Sequence, residues 1–327
     1  MPGPELPRRL LVPALVVVAP LCMASEPLYV KNLSPITGLL GLPSQRSADT
    51  TQIGALAAAL HNSIANHYVL DGSSDEYLNL DGETVRVALD LRYGLAADWE
   101  LHLEVPWLDH SGGNLDSVID DWHDLWGMSE GGRDLVPTDL LDYRYATQGV
   151  DFGLQEDSSG LGDVSLSLNH VFYRDDGAVA SMVLGYKFGT GDEDDFLGSG
   201  ADDGFVAIRF SGQDLSGLPL SWHGQVGYLR AGDSDLLQDT QEQNLWFAGL
   251  ALDWALAEKW SLIAQLDSHA APLDSDIKVV GDEAYMFTAG ARWRFAQHWS
   301  ADLSVVEDIR VETAPDVTFQ ASLRYTP

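Results

Sequence analysis

The run Glu83-Thr84-Val85-Arg86-Val87-Ala88-Leu89-Asp90-Leu91-Arg92-Tyr93 decides the fold. Val85, Val87, Leu89, Leu91 and Tyr93 fall on one side of a period-two repeat, and Thr84, Arg86, Ala88, Asp90 and Arg92 on the other. A strand with this pattern has one wholly apolar face and one charged or small face. The next segment repeats it, with Trp99, Leu101, Leu103, Val105 and Trp107 set against Glu100, His102, Glu104 and Pro106. Near the C-terminus Tyr285, Phe287, Ala289, Ala291, Trp293 and Phe295 alternate with Met286, Thr288, Gly290, Arg292 and Arg294, and Val317 to Tyr325 reads the same way.

Working outward, such segments recur at 53–68, 83–93, 99–107, 163–173, 178–188, 204–211, 218–230, 244–254, 260–269, 284–295, 299–306 and 317–325, about twelve strands. Their connections alternate in length. Leu95–Asp98, Arg174–Gly177, Ser211–Gly217, Ala255–Lys259 and Ala296–His298 are short; Val69–Gly82, Leu108–Gly162, Gly189–Asp203, Ala231–Gln243, Ala270–Glu283 and Glu307–Asp316 are long. An antiparallel meander places every second connection at one end, so tight turns collect at one rim and long loops at the other. Outer-membrane barrels are built this way. Aromatic residues fall at both levels of the apolar face, with Tyr93, Trp99, Trp254, Trp260, Trp293 and Trp299 beside short turns and Trp107, Phe188, Tyr228, Trp246 and Tyr285 toward the long loops. The fold expected is therefore all-β, an antiparallel transmembrane β-barrel of about twelve strands with a long, partly helical extracellular loop.

Composition excludes much else. The 327 residues carry 50 Asp and Glu against 18 Lys and Arg, a formal charge of -32, which leaves too few cations to grip nucleic-acid phosphates. No zinc spacing, His-Glu-x-x-His run or phosphate loop occurs, so neither a metal nor a cofactor is expected. The first 25 residues read as a secretory signal: Arg8 and Arg9 precede the apolar run Leu10–Leu21, and Ala24 and Ser25 follow. The sole cysteine, Cys22, lies within it. Residues 26–50, interrupted by Pro27, Pro35 and Pro43, form an N-terminal periplasmic or lumenal segment, and 51–327 the barrel with its 108–162 loop.

Several stretches resemble a known group. Tyr29-Val30-Lys31-Asn32-Leu33-Ser34-Pro35 with Gly41-Leu42-Pro43, Gly82-Glu83-Thr84, Arg92-Tyr93-Gly94-Leu95, the block from Trp99 to Gly113, Asp121-Trp122-His123-Asp124 and Gly131-Gly132-Arg133-Asp134 are similar to the uncharacterised bacterial envelope proteins of domain-of-unknown-function family 3187. The likeness is strongest over 82–134. Ser34, where relatives tend to carry an amide, and Thr326-Pro327 after Tyr325 depart from the pattern. The resemblance implies a bacterial outer-membrane barrel and no particular activity.

Functional expectations follow from the two faces. Arg86, Arg92, Glu100, His102, Glu104, Lys187, Arg209, His223, Gln225, Asp253, Gln265, Asp267, Arg292, Arg294, Asp302 and Arg324 are expected to line the lumen, and the function read from them is a channel or transporter for small solutes. Leu115, Val118, Ile119, Trp122, Leu125 and Trp126 have helical spacing; Trp122, His123, Asp124, Trp126, Arg133 and Asp134 would then form a lid over the mouth. The alternatives are a purely structural barrel and a lipid hydrolase, the latter resting on His61 and Ser63, two residues apart on one strand face. Expected partners are outer-membrane lipid, lipopolysaccharide and the barrel-assembly machinery, around a monomer.

Overall fold

The computed structural model describes residues 25–113, 140–309 and 313–327. Fifteen strands form one sheet: β1 (Leu56–Gly72), β2 (Tyr77–Ala96), β3 (Trp99–Ser111), β4 (Asp142–Thr147), β5 (Val150–Leu154), β6 (Ser158–Leu161), β7 (Ser165–Asp175), β8 (Ala178–Lys187), β9 (Asp203–Gly212), β10 (Leu220–Arg230), β11 (Asn244–Ala257), β12 (Trp260–His269), β13 (Ala284–Ala296), β14 (Trp299–Asp308) and β15 (Val317–Tyr325). All but β4, β5 and β6 pair antiparallel in sequence order. The ring of 12 strands closes where β15 meets β1, from Ala58 opposite Tyr325 to Asn66 opposite Val317. Closure leaves no unpaired edge, the condition under which a sheet can stand in hydrocarbon.

Burial along the wall inverts that of a soluble protein. On β2 Leu89 is 41% exposed while Asp90 beside it is 1% exposed; on β13 Trp293 is 45% exposed and Arg292 3%. Leucines and aromatics outside with charges inside is what lipid on one side and a filled lumen on the other demand. The aromatic belts form as well. At the tight-turn level Trp260 stacks on Trp293 with centroids 5.8 Å apart, and Trp299 lies 5.2 Å from Tyr325. At the other level Tyr186 and Phe188 meet at 4.9 Å.

Two expectations are corrected. Val69–Gly82 is not a loop: β1 and β2 run to 17 and 20 residues and turn at 73–76, where Ser73 N–H bonds the Glu76 carbonyl at 2.9 Å. A tilted strand crosses the membrane in roughly 9–11 residues, so this hairpin projects well beyond it. The described part of 108–162 is strand rather than helix. β4 adds to the projecting end of β2, β5 to β4, and β6 to β3. The alternation Tyr143, Tyr145 and then Val150, Phe152, Leu154 drives this, because all five side chains turn into one apolar core. The expected helix around 115–126 and the lid residues Trp122, His123, Asp124, Trp126, Arg133 and Asp134 lie outside the described residues, as do residues 1–24 of the expected signal.

Candidate functional site

The lumen changes character along its length. Toward the tight turns the inward rows are polar: Ser211 and Arg209 on β9, His223 and Gln225 on β10, Asp253 on β11, Arg292 on β13, Asp302 on β14 and Arg324 on β15 are all buried. Toward the long loops they become apolar, with Val183, Phe205, Ala207, Leu229, Leu245 and Phe247 buried in the same core as Tyr143, Tyr145 and Phe152. The sequence offers a signal for this switch in its glycines. A Cβ at Gly185 would strike the Phe205 ring, and one at Gly227 the Phe247 ring, so each glycine vacates the wall for an inward aromatic.

Residues 25–55 fill the polar half. They rise from the tight-turn end, turn at Thr37–Leu39 beneath the apolar core, where Ile36, Leu39 and Leu40 are buried, and descend to β1. The rising limb is held by Ser25 Oγ on Asp253 (2.8 Å), Leu28 N–H on Gln265 Oε1 (2.9 Å) and Asn32 Nδ2 on the Thr313 carbonyl (3.0 Å). In return Arg292 and Arg324 donate to the carbonyls of Glu26 (2.8 Å) and Pro27 (3.1 Å). The descending limb is tied by Gly41 N–H to Asp203 (2.7 Å), Gln45 Nε2 to Asp267 (2.8 Å), Ala48 N–H to Ser211 Oγ (2.8 Å) and the Thr51 N–H and hydroxyl to Glu100. Within the segment, Ser44 Oγ donates to the Val30 carbonyl at 2.7 Å and Lys31 Nζ to that of Leu42 at 2.8 Å. The wall is shaped to receive it: a Cβ at Gly249 would collide with the Gln45 amide.

Charges pair across this interface. Glu26 meets Arg92, and Arg46 meets Asp90, which also accepts from His102 at 2.9 Å. Glu104 takes Arg86 at 2.8 Å and Lys31 at 3.4 Å. Asp302 bridges Arg292 and Arg324, each Nε at 2.7 Å. Lys187 sits between Asp163 (2.6 Å) and Asp203 (3.3 Å), and Arg294 reaches Asp253 at 3.9 Å. Burial would raise the Glu26 carboxyl, but the Arg92, Arg324 and Arg46 guanidinia outweigh it and hold that group well below its ordinary 4.5. Lys31 moves the other way, pulled down to about 8 by burial against the attraction of Glu104. Between segment and wall lies a cavity of about 60 Å³ bounded by Leu33, Leu40, Lys187, Gln225 and Phe247. A second, of about 310 Å³, opens at the tight-turn mouth beside Ser25, Arg174 and His223.

Each residue proposed from the sequence for the lumen faces inward, Asp267 and Arg294 half-buried and the rest buried. Sequence reasoning missed Asp90, Asp163 and Asp203 as partners and overlooked the segment's own Glu26, Lys31 and Arg46, because nothing local marks which strand an extended chain will touch. Asp90, His102 and Glu104 bring ligand atoms within 4.8 Å of one another, but Arg46, Arg86 and Lys31 already neutralise them, so these donors are committed to ion pairs. His61 and Ser63 are both buried inside. The His61 Nδ1 bonds Ser322 Oγ at 2.7 Å and its ring lies under Tyr29 at 4.0 Å, while Ser63 Oγ accepts from Gln320 at 3.2 Å. No described contact joins the imidazole to the Ser63 hydroxyl, the bond that serine activation requires.

Comparison with known proteins agrees with this architecture. A family model described as "Protein of unknown function (DUF3187)" matches residues 9–326. No curated protein sequence matches the chain. Among solved structures, the chain is similar to the COG4313 outer membrane channel from Pseudomonas putida F1, with TM-score 0.55 and 15% identity over 85% of this chain and 96% of that one. Looser overlaps include the KdgM porin (TM-score 0.44, 7% identity, 83% and 99% covered) and the P. putida toluene transporter TodX (0.38, 11%, 92% and 94%). At these identities the likeness to the first is one of fold.

Proposed function

The chain belongs to the DUF3187 family of proteins of unknown function, and from that premise and the lumen's geometry we propose that it is an outer-membrane conduit for small solutes, held shut by residues 25–55. The carrying observation is that the wall's hydrogen-bond ladder is complete without the segment that fills it. The filling segment is bound by ion pairs and side-chain hydrogen bonds, and its last residues run into β1, where Ile53 bridges to Gly94 at the tight-turn rim. Its withdrawal would therefore uncover a polar lumen without opening a sheet edge. On this reading the tight turns face the periplasm, residues 1–25 direct export, and the outer belt contacts membrane lipid and lipopolysaccharide after insertion by the barrel-assembly machinery.

The apolar core at the long-loop end supports a second reading, a barrel that serves as wall alone. Liposome swelling separates the two. Refolded full-length protein with Glu26→Gln and Arg46→Ala, which removes the Glu26–Arg92 and Arg46–Asp90 ion pairs between segment and wall, is expected to admit small sugars at least about tenfold faster than wild type. Equal impermeability of both would leave the structural reading.

A further inference from the structure

Among the described cations inside the barrel, one has no carboxylate within ion-pair distance. Lys31, Arg46, Arg86, Arg92, Lys187, Arg292, Arg294 and Arg324 each lie within 4.0 Å of a carboxylate. Arg209 does not. It is 3% exposed, and among the described residues its side chain makes a single hydrogen bond, from Nε to Gln225 Oε1 at 2.7 Å, and no ion pair. Its two terminal nitrogens, which offer four N–H donors, have no acceptor among them.

A guanidinium does not shed its proton inside a protein, so this charge cannot be relieved by titration. Burying an ion without a partner costs far more than its one hydrogen bond returns. The surroundings mix both signs, with Arg46 and Arg92 opposing the charge and Glu26 and Glu100 favouring it from beyond contact distance. Arg209 borders a cavity of about 20 Å³ together with Arg46, Lys31, Ser44, Ser165, Ser167, His102 and Glu104. Of these Arg46 is already spent on Asp90, and Glu104 on Arg86 and Lys31. A guanidinium with unused donors that faces a space the size of one water molecule has the parts of an anion seat.

We propose that Arg209 and the cavity it borders bind one small monovalent anion of halide or formate size in the closed barrel. The seat lies between β3, β7, β9 and the descending limb of residues 41–50, so the anion would help to hold that limb in place. It needs no transport and stands or falls apart from the conduit reading.

The test uses refolded full-length protein in detergent, melted at constant ionic strength while chloride replaces gluconate, an anion too large for the cavity. Wild type should gain about 3 °C in midpoint for each tenfold rise in chloride once the site fills. Arg209→Met, which removes the charge and keeps the side chain's bulk, should lose that dependence and be no less stable than wild type in gluconate. Bromide-soaked crystals of wild type give a reading that no variant affects, with anomalous density expected within about 3.5 Å of the Arg209 terminal nitrogens. Equal chloride dependence in both proteins, or no bromide at Arg209, would overturn the proposal, and the same holds if formate and chloride both leave wild type unmoved.

Discussion

At the scale of single residues, the interior is governed by the cost of stranding a charge. Asp302 is 2% exposed and carries two guanidinia, with Arg292 gripping both its oxygens at 2.7 and 2.9 Å. Asp302→Asn leaves both cations without that partner and is expected to cost about 3–5 kcal/mol, the penalty of breaking a buried pair from one side. Denaturant titration of barrels refolded into vesicles measures it. The outer face obeys the opposite rule. Leu250, in the middle of β11 and 64% exposed toward lipid, should tolerate apolar replacement, whereas Leu250→Arg should lose about 2–4 kcal/mol in the same titration. In a water-soluble sandwich the arginine would be harmless, so the sign of this effect reports what lies outside the wall.

Elements show where a sequence discloses structure and where it does not. Each wall strand was legible because its alternation is local: Leu101, Leu103 and Val105 against His102 and Glu104 specify both the strand and its faces. The β1–β2 projection was hidden by Asp71-Gly72-Ser73-Ser74-Asp75, a run of turn residues that reads as a loop, although only 73–76 turn. Strands β4 to β6 are 6, 5 and 4 residues long, too short for period two to stand out from a loop. The N-terminal segment was legible only as a proline-broken stretch, since its hold on the wall is made by partners tens to hundreds of positions away, as Glu26 with Arg92 and Asn32 with Thr313 illustrate.

That hold has a pH signature. The Glu26 carboxyl sits below its ordinary 4.5 in the folded chain, so its contribution is whole above that value and falls away as acidification approaches the folded value. Wild-type permeability is expected to rise as pH drops below about 4.5, and Glu26→Gln to be leakier at neutral pH with a flatter acid response. Swelling rates at pH 7 and pH 4 for the two proteins check this. A steeper acid response in the variant would contradict the assignment.

On the scale of the molecule, the charges are segregated. A chain of net charge -32 collects half of its 18 Lys and Arg residues inside the barrel, while its long connections are rich in Asp and Glu. The loops are thereby kept hydrated and mutually repelling, while the interior is a near-balanced network that a short segment can complete. The central claim is that residues 25–55 are a movable stopper, and one covalent pin tests it. Ser47 and Ser211 face each other across the segment–wall interface with hydroxyl oxygens 3.3 Å apart, within reach of a disulfide. In protein carrying Glu26→Gln and Arg46→Ala, with Cys22→Ser to remove the native thiol, Ser47→Cys and Ser211→Cys should form a bridge that closes the lumen on oxidation and reopens it on reduction. Swelling rates that switch with redox state are the predicted result; rates indifferent to it would contradict the account.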